Sequence, residues 1–341
     1  MTQTRDLLME TPFFDDVAPG PSGIDVLSDI LRVFHVTGAA LLRGEFGAPW
    51  AWHAPSSSEI ANLLHPGGTQ LIIFHVVAEG SCWVEVDGEE RCMLRSGDIV
   101  GFPHGHAHRL GSGKAELIPI ASLFPALPWI DLPVVAHGGT GERTHIVCVY
   151  LRCDLLSFEP FLASLPNLFI VRRDQGPSGQ WFDANMRYLV AEAVRARPGT
   201  SCMMARLTEL LFIEMLRLQM AQLREEDVGW LAALNDRYTY RALNLFHSRP
   251  ADRWTVETLA REVGLSRSAL VRRFDRMLNM SPIRYLTTWR LHLAAQALRE
   301  GGNPIAAIAD EVGYESEEGF SRAFKRYFGI SPAAWRQSQS S

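Results

Sequence analysis

Gly264–Phe274, GLSRSALVRRF, and Gly313–Arg336, GYESEEGFSRAFKRYFGISPAAWR, decide the fold of the second half of this chain. They are two copies of one pattern, and an internal repeat outranks any single local signal. In the first copy Ala260 is followed by Gly264, Leu270, Phe274 and Ser281-Pro282. In the second, Ala309 is followed by Gly313, Phe320, Phe324 and Ser331-Pro332. The offset is 49 residues before the turn and 50 after it, so the turn gained one residue.

Each feature has a mechanical reason. Thr255 and Asn303-Pro304 supply helix N-cap chemistry, with Pro suited to the first helical position. Ala260 and Ala309 are small where two helices would cross closely. Gly264 and Gly313 can take the left-handed backbone that ends a helix, and Ser266 and Ser316 can cap the next one. Helix, tight turn, helix is the arrangement whose second helix enters the major groove of DNA.

A helical wheel sorts the second helices. With Leu270, Phe274 and Met277 inward, Ser268, Arg272, Asp275 and Arg276 face outward; with Phe320 and Phe324 inward, Glu318, Arg322, Lys325 and Arg326 do. Charges on an outer face are the ordinary condition of a soluble helix. Here turn spacing, repeat and charge agree with one another. Residues 235–341 hold 16 Lys+Arg, 15 of them Arg, against 11 Asp+Glu, a net of +5; residues 1–234 net −10. A basic half attached to an acidic one marks a nucleic-acid-binding part joined to something else.

These two stretches, with YLTTWRLHLAAQAL (Tyr285–Leu298) between them, resemble the AraC/XylS family of bacterial regulators. The resemblance covers residues 235–336. It implies two helix-turn-helix units joined by a linker helix and reading successive major grooves. It places base-reading positions on Ser268 and Arg272, and on Glu318, Ser321 and Arg322. Arg267, Arg276 and Lys325 complete the expected DNA face. Glu318 departs from the family's usual neutral residue; an acidic side chain can accept from cytosine and set sequence preference.

The first half reads mostly as strands from 20 to 155, with Gly, Pro and Asp-Gly breaks, the pattern of a barrel or jelly roll. Ser81–Val86, Asp87-Gly88 and Glu89–Leu94 read as a hairpin. Gly97-Asp98-Ile99-Val100-Gly101-Phe102-Pro103-His104-Gly105-His106-Ala107-His108 resembles the second motif of cupin barrels, which are common partners of AraC-type domains. The usual cupin ligands, two His and a Glu, would fall at Gly67, Thr69 and Ile73, so three expected ligands are absent. A variant metal site built from His75, His106 and His108 is the alternative; the expectation is no metal or other cofactor and no enzymatic activity. His75, His106 and His108 are the expected lining of a pocket for a small polar or anionic effector. Cys82, Cys92 and Cys148 are candidate redox thiols, weighed against the plainer role of small buried hydrophobes. A two-residue turn would put Cys82 and Cys92 on opposite faces of their hairpin, a three-residue turn diagonally on one face.

The resulting expectation is a multidomain α+β protein. It comprises an extension (1–23), a cupin-like β-barrel sensor (24–175), a helical linker or dimerisation segment (176–229) and an all-α double helix-turn-helix domain (235–338). The apolar stripe Leu207, Leu210, Leu211, Ile213, Met215, Leu216 and Leu218 serves either as core or as the seam of a homodimer. The expected function is sequence-specific transcription control through double-stranded promoter DNA, with RNA polymerase as a further contact. A small-molecule effector or oxidant would act on the sensor. The readings set against it are a cupin metalloenzyme fused to a DNA-binding domain, and a redox regulator acting through Cys148 or Cys82/Cys92. Five irregularly spaced cysteines and a polar N-terminus without an export signal predict a cytoplasmic protein. The prolines within Leu117–Ala136 exclude a membrane helix there.

Overall fold

A computed structural model describes residues 25–33, 36–64, 71–125, 132–153, 158–172, 179–194 and 197–339. The expected cupin ligand positions Gly67 and Thr69 lie outside the described residues. The chain divides into two units, one of residues 34–232 and one that joins the N-terminal stretch up to Val33 to residues 233–341.

The first unit is two sheets. One has β1 (Val36–Gly47), β3 (Leu71–Glu79), β6 (Ile99–Phe102), β9 (Val134–Gly138), β10 (Arg143–Cys153) and β11 (Phe169–Val171), in the order β11-β6-β3-β10-β1-β9. The other has β2 (Trp50–Ala54), β4 (Ser81–Val86), β5 (Cys92–Arg95), β7 (His108–Ser112) and β8 (Ile118–Pro119), in the order β5-β4-β7-β2-β8. This is the double-sheet jelly roll rather than one closed barrel. Phe46, Trp50, Trp52, Ile73, Val84, Phe102 and Leu110 are buried together as its core. Helices α2 (Ser57–Leu64) and α3 (Glu159–Leu162) fill connections.

The segment expected as a linker packs onto this unit. Helix α4 (Gly179–Val194) precedes α5 (Thr200–Gln222), which crosses β1 where Gly38 has no side chain. A Cβ on Gly38 would stand 2.6 Å from Cβ of Thr208, so the close approach needs glycine. Leu207, Leu211, Met215 and Leu216 are buried, and Phe212 meets Phe74 with ring centroids 6.2 Å apart. Of the two readings of the stripe, most of its residues serve as core, while Leu210 remains exposed.

The second unit is all helical. It contains α7 (Arg237–Ser248), α8 (Val256–Val263), α9 (Arg267–Leu278), α10 (Pro282–Glu300), α11 (Ile305–Glu311), α12 (Glu317–Phe328) and α13 (Pro332–Gln339); α6 (Trp230–Asn235) spans the boundary. Helix α1 (Val26–Val33), expected within the sensor segment, packs in this unit against α7 and α10. Its Asp29 is 2.7 Å from Nδ1 of the buried His247, whose Nε2 is 2.9 Å from the Tyr285 hydroxyl. Sequence position alone assigned α1 to its neighbours along the chain; the apolar face of Leu27 and Ile30 assigned it to another core.

The two turns of the repeat close alike. Leu265 N–H donates to the Ala260 carbonyl at 2.9 Å and Tyr314 N–H to the Ala309 carbonyl at 2.8 Å, each across a glycine with φ of 79° and 85°. Thr255 caps α8 with a reciprocal bond to Thr258, and Ser266 and Ser316 cap α9 and α12. The second copy departs at its start: Pro304 itself is the N-cap residue of α11, which has no side-chain cap. Space separates the two glycines. A Cβ at Gly264 meets nothing within 4 Å, whereas one at Gly313 would lie 2.7 Å from the Ala251 backbone. Gly264→Ala is therefore expected to cost about 1 kcal/mol for the left-handed backbone alone. Gly313→Ala should cost at least about 2 kcal/mol, because a displaced backbone adds to the same strain. Equal urea midpoints for the two variants would contradict this.

Candidate nucleic-acid interface and sensor cavity

Helix α9 turns Leu270, Phe274, Met277 and Leu278 inward and leaves Arg267, Ser268, Arg272 and Arg276 exposed. Helix α12 buries Phe320, Ala323 and Phe324 and exposes Glu318, Arg322, Lys325 and Arg326, with Ser321 half-buried at the edge of the face. Among the described residues, Arg272, Arg276, Arg322 and Lys325 form no hydrogen bond or ion pair. Arg267 is engaged with Glu257 at 2.6 Å. Arg273, the neighbour of Arg272, is the contrast. It points back into the unit and grips Asp236 through two bonds of 2.8 and 2.6 Å.

Within the helical unit, one residue missed by the sequence reading holds the two helix-turn-helix copies together. Arg290 of α10 donates to the carbonyls of Pro250 (2.7 Å), Gly313 (3.1 Å) and Asp252 (2.8 Å). A single guanidinium thus ties the linker helix to the turn of the second repeat and to the loop that enters the first. Nothing in the sequence distinguishes it from other arginines on an amphipathic helix, since its acceptors are backbone atoms far along the chain.

In the sheet unit, Cys148 on β10 stands directly opposite His75 on β3. Its Sγ lies 2.7 Å from His75 Nδ1. His75 Nε2 lies 2.7 Å from Nε2 of His108, which begins β7 in the other sheet, and His108 Nδ1 is 2.9 Å from the His106 carbonyl. The carbonyl can only accept, which fixes the direction of the chain. His108 donates from Nδ1, His75 donates from Nε2 to His108, and the Cys148 thiol donates to His75 Nδ1. Every member is neutral in this arrangement. Burial holds the His75 imidazole well below its ordinary value, with the neighbouring His108 adding to the effect. It also pushes His108 down to about 4 and raises the Cys148 thiol well above the usual range.

Beside this relay lies a cavity of about 120 Å³, lined by Leu41, Leu42, Trp52, Ile73, His75 and Cys148 among others, with Glu59 of α2 also on its wall. The buried Trp52 has an indole N–H with no hydrogen-bond partner among the described residues. Of the three expected histidines only His75 reaches the cavity. His108 stacks on Phe102 with centroids 3.7 Å apart, and the His106 ring is exposed and stacks on His104. The expectation of a polar or anionic effector gives way to an apolar chamber. The residues do not fit a cupin metal centre: Ile73 occupies the place of the carboxylate, and both nitrogens of His75 are already engaged.

The hairpin of β4 and β5 pairs Cys82 with Leu94 and Val84 with Cys92, the register that a three-residue turn would give, although residues 87–91 separate the strands. The two cysteines sit diagonally on one face. The Cys82 thiol is buried and pushed up to about 12, chiefly by burial; Cys92 is half-buried.

Low histidine values have a sign. In the unfolded chain His108 takes up a proton below about 6.5, while the native state resists until about 4. Native stability is therefore intact above pH 6.5 and is lost as pH falls from 6.5 to 4. His108 alone accounts for about 3 kcal/mol, and His75 acts in the same direction. Hydrogen exchange of β3, β7 and β10 is expected to accelerate over that window, and His108→Gln to flatten the dependence. Equal acid sensitivity in the variant would show that other groups carry it.

Residues 25–221 match the family model described as Cupin, and residues 259–338 match the one described as Helix-turn-helix domain. The HTH-type transcriptional regulator AlkR of Acinetobacter baylyi is 30% identical over 317 residues, covering 92% of this chain and 99% of that protein. A putative AraC-like transcription regulator of Streptomyces lividans is 32% identical over 272 residues, covering 79% and 87%. This chain belongs to the AraC-like transcription regulators. It is a DNA-binding regulator with a cupin-type domain ahead of its double helix-turn-helix domain. Among solved structures, an AraC-type regulator from Chromobacterium violaceum is 28% identical, covering 29% of this chain and 88% of that one, with a TM-score of 0.28. Among the described residues no helix is long and apolar enough to cross a membrane.

Proposed function

We infer that this regulator reads promoter DNA with the exposed faces of α9 and α12 and is controlled by a small, uncharged, largely apolar effector in the cupin cavity. Arg272 and Arg322 are the central base-reading side chains. Arg276 and Lys325 are phosphate or base contacts beside them, Arg267 an outer contact, and Ser268, Glu318 and Ser321 neighbours that adjust preference. It works in the cytoplasm by binding rather than by turnover, as a homodimer whose two copies double the half-sites.

The cavity carries the effector reading. Its walls are mostly hydrocarbon, and its volume approaches the roughly 150 Å³ of an engineered cavity that takes benzene. An effector with a compact, largely apolar body matches both. An anionic one would lose its hydration with no Lys or Arg on the wall to replace it, and would face Glu59. The buried, protonated Cys148 and Cys82 favour such a ligand over direct attack by a charged oxidant.

Ligand-observed NMR with the full chain is expected to show cyclohexanone bound and acetate unbound, and Ile73→Trp, which fills the chamber, to abolish the signal without changing DNA affinity. Acetate binding with cyclohexanone excluded would overturn the reading.

A further inference from the structure

A cavity with a thiol on its wall can do more than enclose a ligand. We propose that the chamber takes small α,β-unsaturated carbonyl compounds and that the Cys148 thiol adds to their β-carbon, with His75 as the base. This rests on the cavity being the effector site and names the chemical class of the effector.

The relay brings together a thiol, an imidazole within hydrogen-bond reach of it, and a third group that orients the imidazole. Cys148 Sγ and His75 Nδ1 are 2.7 Å apart, and His108 Nε2 accepts from the far side of His75 at the same distance. His108 is itself fixed by the His106 carbonyl and the face of Phe102. Cys148 and His75 both line the chamber. Among the described residues, Cys82, Cys92 and Cys202 have no imidazole within hydrogen-bond distance.

The step balances without a co-reactant. The Sγ–Cβ bond forms as the S–H proton passes to His75 Nδ1, and the C=C electron pair moves to the carbonyl as an enolate. His75 then returns the proton to the α-carbon. The sum is addition of S–H across C=C, with nothing oxidised or reduced. During the step the imidazolium has both its N–H groups occupied, one by His108. A neutral thiol that ionises only as the bond forms suits an apolar chamber, where a standing thiolate would be costly.

The test uses the full chain with Cys202→Ser, which removes the thiol that is exposed among the described residues. Incubation with 2-cyclohexen-1-one is expected to add one ligand mass per chain, placed on Cys148 by fragment mass spectrometry. Cyclohexanone, which has no acceptor double bond, should bind without adding mass and should slow the adduct. His75→Gln should lower the adduct rate at least tenfold while cyclohexanone still binds. If cyclohexanone binds but no mass appears on Cys148, or mass appears only on other cysteines, the addition is overturned and the effector site stands. If neither compound binds, the effector reading falls and the addition with it. An unchanged adduct rate in His75→Gln would remove the histidine from its role. The Cys202→Ser chain decides the site of addition even if the His75 variant does not fold.

Discussion

Arg290→Ala is expected to loosen the second helix-turn-helix unit from the first and to lower the stability of the C-terminal unit by about 2–4 kcal/mol. Hydrogen bonds to a charged donor contribute about 1.5–3 kcal/mol each, and three sharing one guanidinium add less than their sum. The lost acceptors are the carbonyls of Pro250, Asp252 and Gly313, so the effect should appear where those backbones meet. Amides of α11 and α12 are expected to exchange faster than those of α7. Affinity for a two-groove site should fall at least about tenfold, because the two reading helices are no longer held at one spacing. Arg290→Lys would restore at most one of the bonds, since a point ammonium cannot reach three carbonyls as the fork does. Unchanged exchange in α11 and α12 would remove Arg290 from this role.

The second large effect belongs to the outward arginines. Arg272→Ala and Arg322→Ala are each expected to cost about 1–3 kcal/mol on the preferred site, and the double variant nearly their sum, since the two lie on different helices. Each should relax preference at its own base pair. Arg273→Ala provides the internal control. It lies one position from Arg272 but is bound to Asp236, so it should reduce stability and leave base preference unaltered. Competition binding against duplexes substituted one pair at a time separates these outcomes. Uniform weakening across all sequences would make Arg272 and Arg322 phosphate contacts.

The C-terminal half was legible because its signals act locally. A glycine with positive φ, a serine cap three residues from the N–H it accepts, and an aromatic one helical turn from the next need no knowledge of the rest of the chain. Gly264, Ser266 and Phe274 therefore read correctly, as did Gly313, Ser316 and Phe324. The outward place of Arg272 and Arg322 followed from the period of the helix.

Elsewhere the deciding contacts join residues far apart in sequence. Whether Leu207 or Leu210 faces a core depended on where α5 lies across β1, which the absent side chain of Gly38 settles. The histidines show the limit of period-two reasoning. It holds along one continuous strand, but His106 precedes β7 and turns outward, whereas His108 begins that strand and turns inward. The cavity takes its walls from β1, β2, β3 and β10, and its apolar character emerges only when those strands close on one another. A DNA-reading repeat behind a strand-rich domain could be read along the chain, because turns and periods are local properties. Only the tertiary structure decided that Cys148, His75 and His108 form one neutral relay, because a hydrogen bond between two sheets depends on how the sheets pack.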